Sequence, residues 1–319
     1  MIPIYGLHEM TYRLVKEIHR ERKYSGLDVI IVDNHDPRNP DRDVLNFEGP
    51  YQSLSDERVV RSGENLGWAR ACNLGIEFAS KEFADDRSCH GVVVLNNDVE
   101  LSQRFFVGLI AASEKVGVGL TAPTHNGDWS HHALGYEGEA SQYRPENRDH
   151  PAPFADGTCI LVPWGTFKQL GSLREGPMLD PSISPIHGWG LDMFLGHEVR
   201  NLLGLRVMVT ELSYLLHERG VTARLLDPKW ETFADLELKV GLTKLFGLNW
   251  VDVIWKGFPL PHSYADLIKP PSVEDVEKVR RVQLAAAQQT AAWGVPNGSH
   301  GEGDPVVEQT LPQGGIQLE

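Results

Sequence analysis

The chain has 319 residues, of which 41% are hydrophobic and 23% are charged, a composition typical of globular proteins. Its formal net charge of −14 argues against a general nucleic-acid-binding protein and against docking on anionic lipid through a broad basic face. The three cysteines lack the paired spacing of a metal site and indicate isolated thiols in a reducing compartment. No signal peptide is found and no apolar run reaches the ~18 residues of a membrane span, so we expect a soluble, cytoplasmic protein.

Strand and helix patterns alternate along the chain. Short apolar runs predict strands at residues 1–6, 27–33, 58–61, 92–95, 118–122, 158–162 and 205–209. Apolar residues at helical spacing predict helices at residues 10–18, 71–78, 102–116, 167–170 and 191–203. This order favours a doubly wound α/β sheet with right-handed crossovers, interrupted by a long polar loop region at residues 124–153.

A polar cluster follows one of these strands at the point where the strand ends. Asn96, Asn97, Asp98 and Glu100 come directly after the apolar run at residues 92–95. Ligands of parallel α/β sheets bind beyond the carboxyl ends of the strands, and hard divalent cations prefer oxygen ligands. The cluster therefore indicates either a metal site or a solvated acidic loop.

Two further strand ends, at Tyr5 and at Asp33-Asn34, are expected along the same edge of the sheet. This arrangement suits a nucleotide, with its ring near Tyr5, a carboxylate on the base or ribose, and a metal on the phosphates. The chain has no G-x-G-x-x-G after the first strand and no G-x-x-x-x-G-K-[ST]. These absences argue against a dinucleotide-dependent enzyme and against a P-loop NTPase.

Six motifs follow one another within residues 1–220. They are Ile2-Pro-Ile-Tyr5, Val32-Asp-Asn34, Glu64-Asn-Leu-Gly-Trp-Ala-Arg-Ala-Cys-Asn-Leu-Gly75, Leu95-Asn-Asn-Asp-Val99, Gly188-Trp-Gly-Leu-Asp192 and His217. In these motifs the chain resembles the inverting, nucleotide-sugar-dependent glycosyltransferases of family 2, and among them a rhamnosyltransferase-like subgroup. The resemblance implies an α/β GT-A fold, with a Rossmann-like, mostly parallel central sheet flanked by helices.

The resemblance also implies how a donor is held. The donor would be a nucleotide diphosphate sugar, with UDP or dTDP favoured, that gives up a hexosyl or deoxyhexosyl group. The residues implied to bind it are Pro3, Tyr5, Asp33, Asn65, Gly67, Arg70, Asn96, Asn97 and Asp98. The acceptor stays open among a saccharide, a lipid-linked glycan and a protein.

A metal and a general base are implied in the same way. Asp98 and His217 would bind Mg²⁺ or Mn²⁺, and Asp192 would be the general base. Asn96 stands where the family has the first aspartate of its Asp-x-Asp motif, and Leu191 stands where it often has a second acid. From the residues alone, Asp192 could instead cap the helix that follows it, and His217 could be structural.

Three further residues have two interpretations each. Trp189 is an acceptor-side wall or a core residue, because apolar sugar faces stack on aromatic rings. Asp156 reaches a substrate or forms a turn. Glu100 is a partner ligand of the metal or, as we expect, an acid at the start of a helix.

The expected organisation is a catalytic domain at residues 1–222, a C-terminal helical extension at residues 223–293 and a disordered tail at residues 294–319. Homo-oligomer formation is left open. Two alternatives to a glycosyltransferase also stay open: a catalytically silent sugar-nucleotide-binding protein, favoured by Asn96, and a nucleotidyltransferase of similar fold. The second lacks the Gly-rich basic loop it would need at residues 6–20.

Overall fold

Helices and strands alternate in the computed structural model, which describes residues 1–35, 57–83, 89–126, 136, 138–173, 176–218, 230–260, 269–292 and 307–308. The strands are β1 (Ile2–Ile4), β2 (Ile30–Asp33), β3 (Arg58–Arg61), β4 (Gly91–Leu95), β5 (Val99–Leu101), β6 (Val118–His125), β7 (Asp149–Pro151), β8 (Cys159–Pro163), β9 (Arg206–His217) and β10 (Val307–Glu308). The helices are α1 (His8–Ser25), α2 (Gly67–Phe83), α3 (Phe105–Ser113), α4 (Trp164–Leu173), α5 (Leu191–Asn201), α6 (Trp230–Phe246), α7 (Trp250–Ile254) and α8 (Val273–Ala292). The short strand predicted at residues 58–61 is confirmed as β3.

The strands form two sheets that meet at the first residue of the chain. In one sheet β1, β2 and β3 are parallel neighbours in that order. The other has the order β4-β8-β6-β9-β5, in which β6 and β9 are parallel and the other neighbours are antiparallel. The backbone of Met1 joins them, because its carbonyl oxygen accepts a hydrogen bond of 3.0 Å from the Leu95 N–H. The carboxyl ends of β1, β2 and β4 therefore lie along one edge.

One face of this sheet is covered by α1 and α3. Leu14 of α1 and Phe105 and Leu109 of α3 belong to one buried cluster with Ile2 of β1 and Ile31 of β2. Successive residues of a strand point to opposite faces, so the neighbours of Ile31 contact the other side.

The other face is covered by α2, α5 and the C-terminal helices. Val32 and Val94 of the sheet share a second buried cluster with Leu191 of α5, Leu238 of α6 and Trp250 of α7. Helices α6 and α7 are therefore part of this core.

The helix predicted at residues 102–116 is shorter in the structure, and the interpretation of Glu100 is wrong. Glu100 lies in strand β5, and α3 begins only at Phe105. The reason is pairing: Glu100 faces Leu216 of β9 in an antiparallel ladder, which holds it in an extended conformation. An acid that follows a buried strand in sequence need not start the next helix.

The predicted domain boundary and tail fall mostly on residues that the structure does not describe. The predicted boundary at residues 222–223 and most of the tail at residues 294–319 lie outside the described residues. Within the tail, Val307–Glu308 pairs with β3 in antiparallel fashion. All three cysteines are free, and no helix among the described residues is long and apolar enough to cross a membrane.

A carboxylate of α1 caps the first turn of α3. Arg104 precedes this helix in the left-handed region, with φ of 56°, and its side chain makes no capping bond. Instead, Glu21 accepts hydrogen bonds from the N–H groups of Phe105 at 3.0 Å and of Phe106 at 3.2 Å. These bonds satisfy two of the four N–H groups that a helix leaves unpaired at its start. Burial raises the pKa of Glu21, while the hydrogen bonds oppose that shift.

We expect Glu21→Ala to lower the free energy of unfolding by about 2 kcal/mol, because it strips two buried N–H groups of their acceptor. Urea denaturation followed by circular dichroism measures this. Glu82→Ala, at an exposed position of α2, is the control and should change stability by less than about 0.5 kcal/mol. Equal effects of the two substitutions would contradict the capping role.

Candidate functional site

Asp98 and His217 are brought together by the pairing of two strands. Val99 of β5 faces His217 of β9, so the residue before β5 lies beside the end of β9. The Asp98 Oδ1 atom is 3.3 Å from the His217 Nε2 atom. Among the described residues, the buried Nε2 atom has no hydrogen-bond partner, while Thr158 Oγ1 lies 3.3 Å from the Nδ1 atom. A histidine fixed through one ring nitrogen offers the other as a metal ligand.

The two asparagines before Asp98 point to different partners. The Asn96 Oδ1 atom accepts a hydrogen bond of 3.0 Å from the indole N–H of Trp68. The Asn97 side chain is buried and donates to Thr11 Oγ1 of α1 at 3.1 Å. The structure thus separates Asn97 from the Asp98–His217 pair, and it gives Asn97 a contact between the sheet and α1.

Asp192 lies in the first turn of α5, but it does not cap the helix. The N-cap position is Gly190, and Asp192 Oδ2 instead accepts a hydrogen bond of 3.0 Å from the Gly157 N–H. Its Oδ1 atom accepts one of 2.8 Å from the Met193 N–H. Burial, and secondly the negative charge of Asp156, raise the pKa of Asp192 to about 7. The alternative that Asp192 is only an N-cap is therefore wrong.

Asp156 lies immediately before the backbone that Asp192 contacts. Its Oδ1 atom accepts a hydrogen bond of 2.9 Å from the Thr158 N–H, which forms a tight turn into β8. Its Oδ2 atom lies 4.0 Å from Nε2 of the buried His125 at the end of β6. Sequence reasoning missed His125, because β6 was predicted to end earlier. The turn interpretation of Asp156 is confirmed, and its carboxylate also faces the site around Asp192.

The indole of Trp68 fills the space between these segments. A Cβ atom at Gly157 would lie 3.0 Å from the Trp68 Cη2 atom, and one at Gly188 would lie 3.2 Å from its Cε3 atom. A side chain at either position would press on the ring, and Gly188 also has a φ of 77°, which favours glycine. With its N–H bonded to Asn96, Trp68 touches the predicted metal motif, the turn next to Asp192 and the loop before α5. One signal in the sequence points to Trp68, because it directly follows the Asn65-Leu-Gly67 motif.

The predicted nucleotide loop is held by a residue that sequence reasoning left without a role. Asn34 Oδ1 accepts a hydrogen bond of 2.8 Å from the Leu66 N–H, and its Nδ2 atom donates to Asn65 Oδ1 at 3.0 Å. Asn65 Oδ1 also accepts from the Gly67 N–H at 3.0 Å. The ends of β2 and the start of α2 are thereby locked together at the edge of the sheet.

The other predicted donor residues lie around the same edge. Asp33 is buried, forms an ion pair of 2.7 Å with Arg61, and accepts from the His35 N–H at 3.2 Å. Arg70 is exposed and donates to the Leu66 carbonyl oxygen at 2.9 Å. Pro3 lies within β1, where it pairs with Val32, and Tyr5 follows the end of that strand.

Trp189 is half-buried and meets a tryptophan of the C-terminal extension. Its ring centroid lies 5.2 Å from that of Trp230, with the ring planes at 88°. This edge-to-face arrangement is a favourable one for aromatic pairs. The two rings border the loop that leads into Asp192.

Known proteins share this arrangement of sequence and fold. A family model described as glycosyl transferase family 2 matches residues 1–170, which is more than half of the chain. The chain belongs to glycosyl transferase family 2. It is 30% identical over 222 residues to an uncharacterized protein of Mycobacterium bovis and to two of Mycobacterium tuberculosis, a stretch that covers 70% of this chain and 74% of each relative.

A solved structure shows the same fold. The crystal structure of GalNAc-T7 with UDP, GalNAc and Mn²⁺ superposes with a TM-score of 0.51 at 14% sequence identity. The match covers 92% of this glycosyltransferase and 57% of the GalNAc-T7 chain, so the chain spans somewhat more than half of that protein's length. The likeness confirms the predicted GT-A fold.

A double-mutant cycle between Trp68 and Asn96 should reveal coupling through their hydrogen bond. We expect Trp68→Phe and Asn96→Ala each to destabilise the family 2 glycosyltransferase. The double variant should be about 1 kcal/mol more stable than the sum of the two changes predicts, because a single bond is lost only once. Urea denaturation of the four proteins measures the coupling. Strictly additive changes would contradict a stabilising indole–amide bond.

Proposed function

We propose that this glycosyltransferase moves a hexosyl or deoxyhexosyl group from a nucleotide diphosphate sugar to an acceptor hydroxyl, with inversion and with Asp192 as the general base. The observation that carries the proposal is one connected series of contacts. Asp98 lies beside His217, and His217 contacts Thr158. The residue before Thr158 is Gly157, whose N–H donates a hydrogen bond to Asp192. A site for the departing diphosphate and a carboxylate for the attacking hydroxyl are thereby held by one turn.

The residues present fit a divalent metal ion. The described residues contain no group of three or more His, Cys, Asp and Glu side chains placed to hold one. Asp98 and the buried Nε2 atom of His217, which lie 3.3 Å apart, would supply two ligands, and diphosphate oxygens would supply others. Mg²⁺ or Mn²⁺, when bound, neutralises charge that develops on the departing diphosphate. The likeness to GalNAc-T7, which was solved with UDP and Mn²⁺, supports a divalent metal ion in the proposed reaction.

Asp192 suits the proton transfer. An acceptor hydroxyl has a high pKa and needs a carboxylate within hydrogen-bond reach as its oxygen attacks the anomeric carbon. Two backbone N–H groups fix the orientation of the Asp192 carboxylate. Its pKa of about 7 is close to neutral pH, and a general base is most effective when its pKa lies near the pH of the reaction. One base opposite the leaving group gives a single displacement and therefore inversion.

Donor and acceptor are proposed from the remaining residues. The Asn65–Gly67 loop and Asp33 would hold the nucleotide of the donor. We propose UDP or dTDP as the nucleotide diphosphate, and the UDP in the GalNAc-T7 structure supports UDP. Asp156 and the Trp189–Trp230 pair would contact the acceptor, which we leave open among a saccharide, a lipid-linked glycan and a protein. Asn96, whose oxygen is bonded to Trp68, would lie against the diphosphate through its remaining amide group.

A panel of nucleotide sugars, with water as the acceptor, tests the donor and metal assignments. We expect hydrolysis of at least one donor with Mn²⁺ or Mg²⁺ and its loss in EDTA. Asp98→Asn should lower kcat/KM by about 100-fold, which corresponds to about 3 kcal/mol of transition-state stabilisation. Glu100→Gln, the same chemical change two residues later, is the control. Binding of a donor without turnover would favour the silent binding protein, and full activity in EDTA would exclude the metal.

The pH dependence of transfer tests the base. Asp192 acts only when ionised, so kcat/KM should fall about tenfold per pH unit below a pKa of about 7 and level off above it. Asp156→Asn removes a charge that raises this pKa and should move the profile to lower pH. Asp192→Asn should abolish transfer but leave the donor Kd within about twofold. A flat profile between pH 5 and 8 would assign the base to another residue.

A further inference from the structure

The segment at residues 176–190, between α4 and α5, has little regular structure but is tied down at its start. Asn73 of α2 clamps Leu179 with two hydrogen bonds, donating to its carbonyl oxygen at 2.7 Å and accepting from its N–H at 2.9 Å. The segment ends at the motif that contains Asp192. Its conformation therefore sets the position of the base that we propose.

The other end of the segment is held by Glu237 of α6. This carboxylate accepts hydrogen bonds from Ser184 Oγ at 2.8 Å, from the His187 N–H at 2.9 Å and from the His187 ring Nδ1 at 3.0 Å. Two longer bonds come from the Ile186 N–H at 3.3 Å and from Gln283 of α8 at 3.2 Å. Five donors from two parts of the chain, the segment and α8, thus converge on one side chain.

Glu237 is buried as an ionised group. It is only 3% exposed, and Ser184 beside it is 1% exposed. Burial raises the pKa of Glu237, but the hydrogen bonds from His187, Ser184 and Gln283 lower it more, so that the pKa lies below its ordinary value. Without these partners the buried carboxylate would lose its hydrogen bonds, which costs free energy. The position of Glu237 therefore constrains the positions of the groups that donate to it.

The helix that carries Glu237 is packed directly on the segment. A Cβ atom at Gly241, one turn after Glu237, would collide with the carbonyl oxygen of Ile183. On its other side the segment lies against the predicted nucleotide loop, because Gly188 packs on Trp68, the residue that directly follows this loop. His187 therefore lies between α6 and the predicted nucleotide loop, with 19% of its side chain exposed.

We propose that Glu237 is a positioning residue that orients His187 toward the substrates and fixes the segment leading to Asp192. This inference rests on the proposed function. With Nδ1 bonded to Glu237, the Nε2 atom of His187 is the ring's remaining polar atom, and it would contact a hydroxyl or phosphate oxygen of a bound substrate. The C-terminal extension thereby takes part in catalysis without supplying a reacting group.

Two single variants and their double test the proposal in the full-length protein. Glu237→Gln keeps the shape but not the charge, and it should lower kcat for donor hydrolysis by about 10- to 100-fold with little change in the donor KM. His187→Ala should lower kcat similarly, and the double variant should be no slower than the slower single one. Asp235→Asn makes the same chemical change on α6, at a residue that pairs with Lys239, and should keep the wild-type kcat.

Amide hydrogen exchange of residues 184–192 gives a second readout that needs no turnover. Exchange should be faster in Glu237→Gln than in the wild type and unchanged in Asp235→Asn. An active wild type whose kcat survives both Glu237→Gln and His187→Ala overturns the positioning role and leaves the proposed function intact. Faster exchange with unaltered kcat assigns Glu237 a structural role alone and overturns the proposal too. A wild type that neither binds nor hydrolyses any donor instead sinks the proposed function itself.

Discussion

The indole ring of Trp68 lies against three segments that carry the proposed chemistry. It donates a hydrogen bond to Asn96 and packs on Gly157 and Gly188. A flat ring has few rotamers and a fixed N–H direction, so segments that contact it are held at defined spacings. The predicted metal motif, the turn beside Asp192 and the loop before α5 are therefore positioned by contacts with the same rigid side chain. Glycine at positions 157 and 188 lets the ring approach the backbone closely.

Negative charge is concentrated at this site, as it is over the whole chain. Asp98 and Asp156 each have a histidine as a neighbour, and Asp156 raises the pKa of Asp192. Carboxylates gathered in a partly buried space repel one another and hold protons more tightly than in water. A divalent cation and a polar acceptor would relieve this repulsion when they bind. Burial is the main cause that raises the pKa of Asp192, and the charge of Asp156 adds to it.

The features that could be predicted from the sequence are local ones. The strands that end at Asp33 and Leu95 follow from short apolar runs, and the resemblance to family 2 singled out Asp98 and His217, which the structure places side by side. The roles of Trp68, Asn34 and Glu237 could not be predicted, because each depends on a partner about 30 or more residues away. Glu100 was misassigned for the same reason, since its partner strand β9 is remote in sequence. Packing decides which side chains meet across a sheet, and the periodicity of apolar residues in the sequence does not show these contacts.

The shared core has a consequence for how the molecule holds together. Leu238, Trp250 and Ile254, which follow the predicted end of the catalytic domain, belong to the same buried cluster as Val32 and Val94 of the central sheet. Apolar residues that bury one another must gain and lose their order together. Helices α6 and α7, which belong to the predicted extension, thus share a buried core with the sheet of the predicted catalytic domain. A chain cut off at residue 222 would therefore lack part of the apolar cover of the cluster that contains Val32 and Val94.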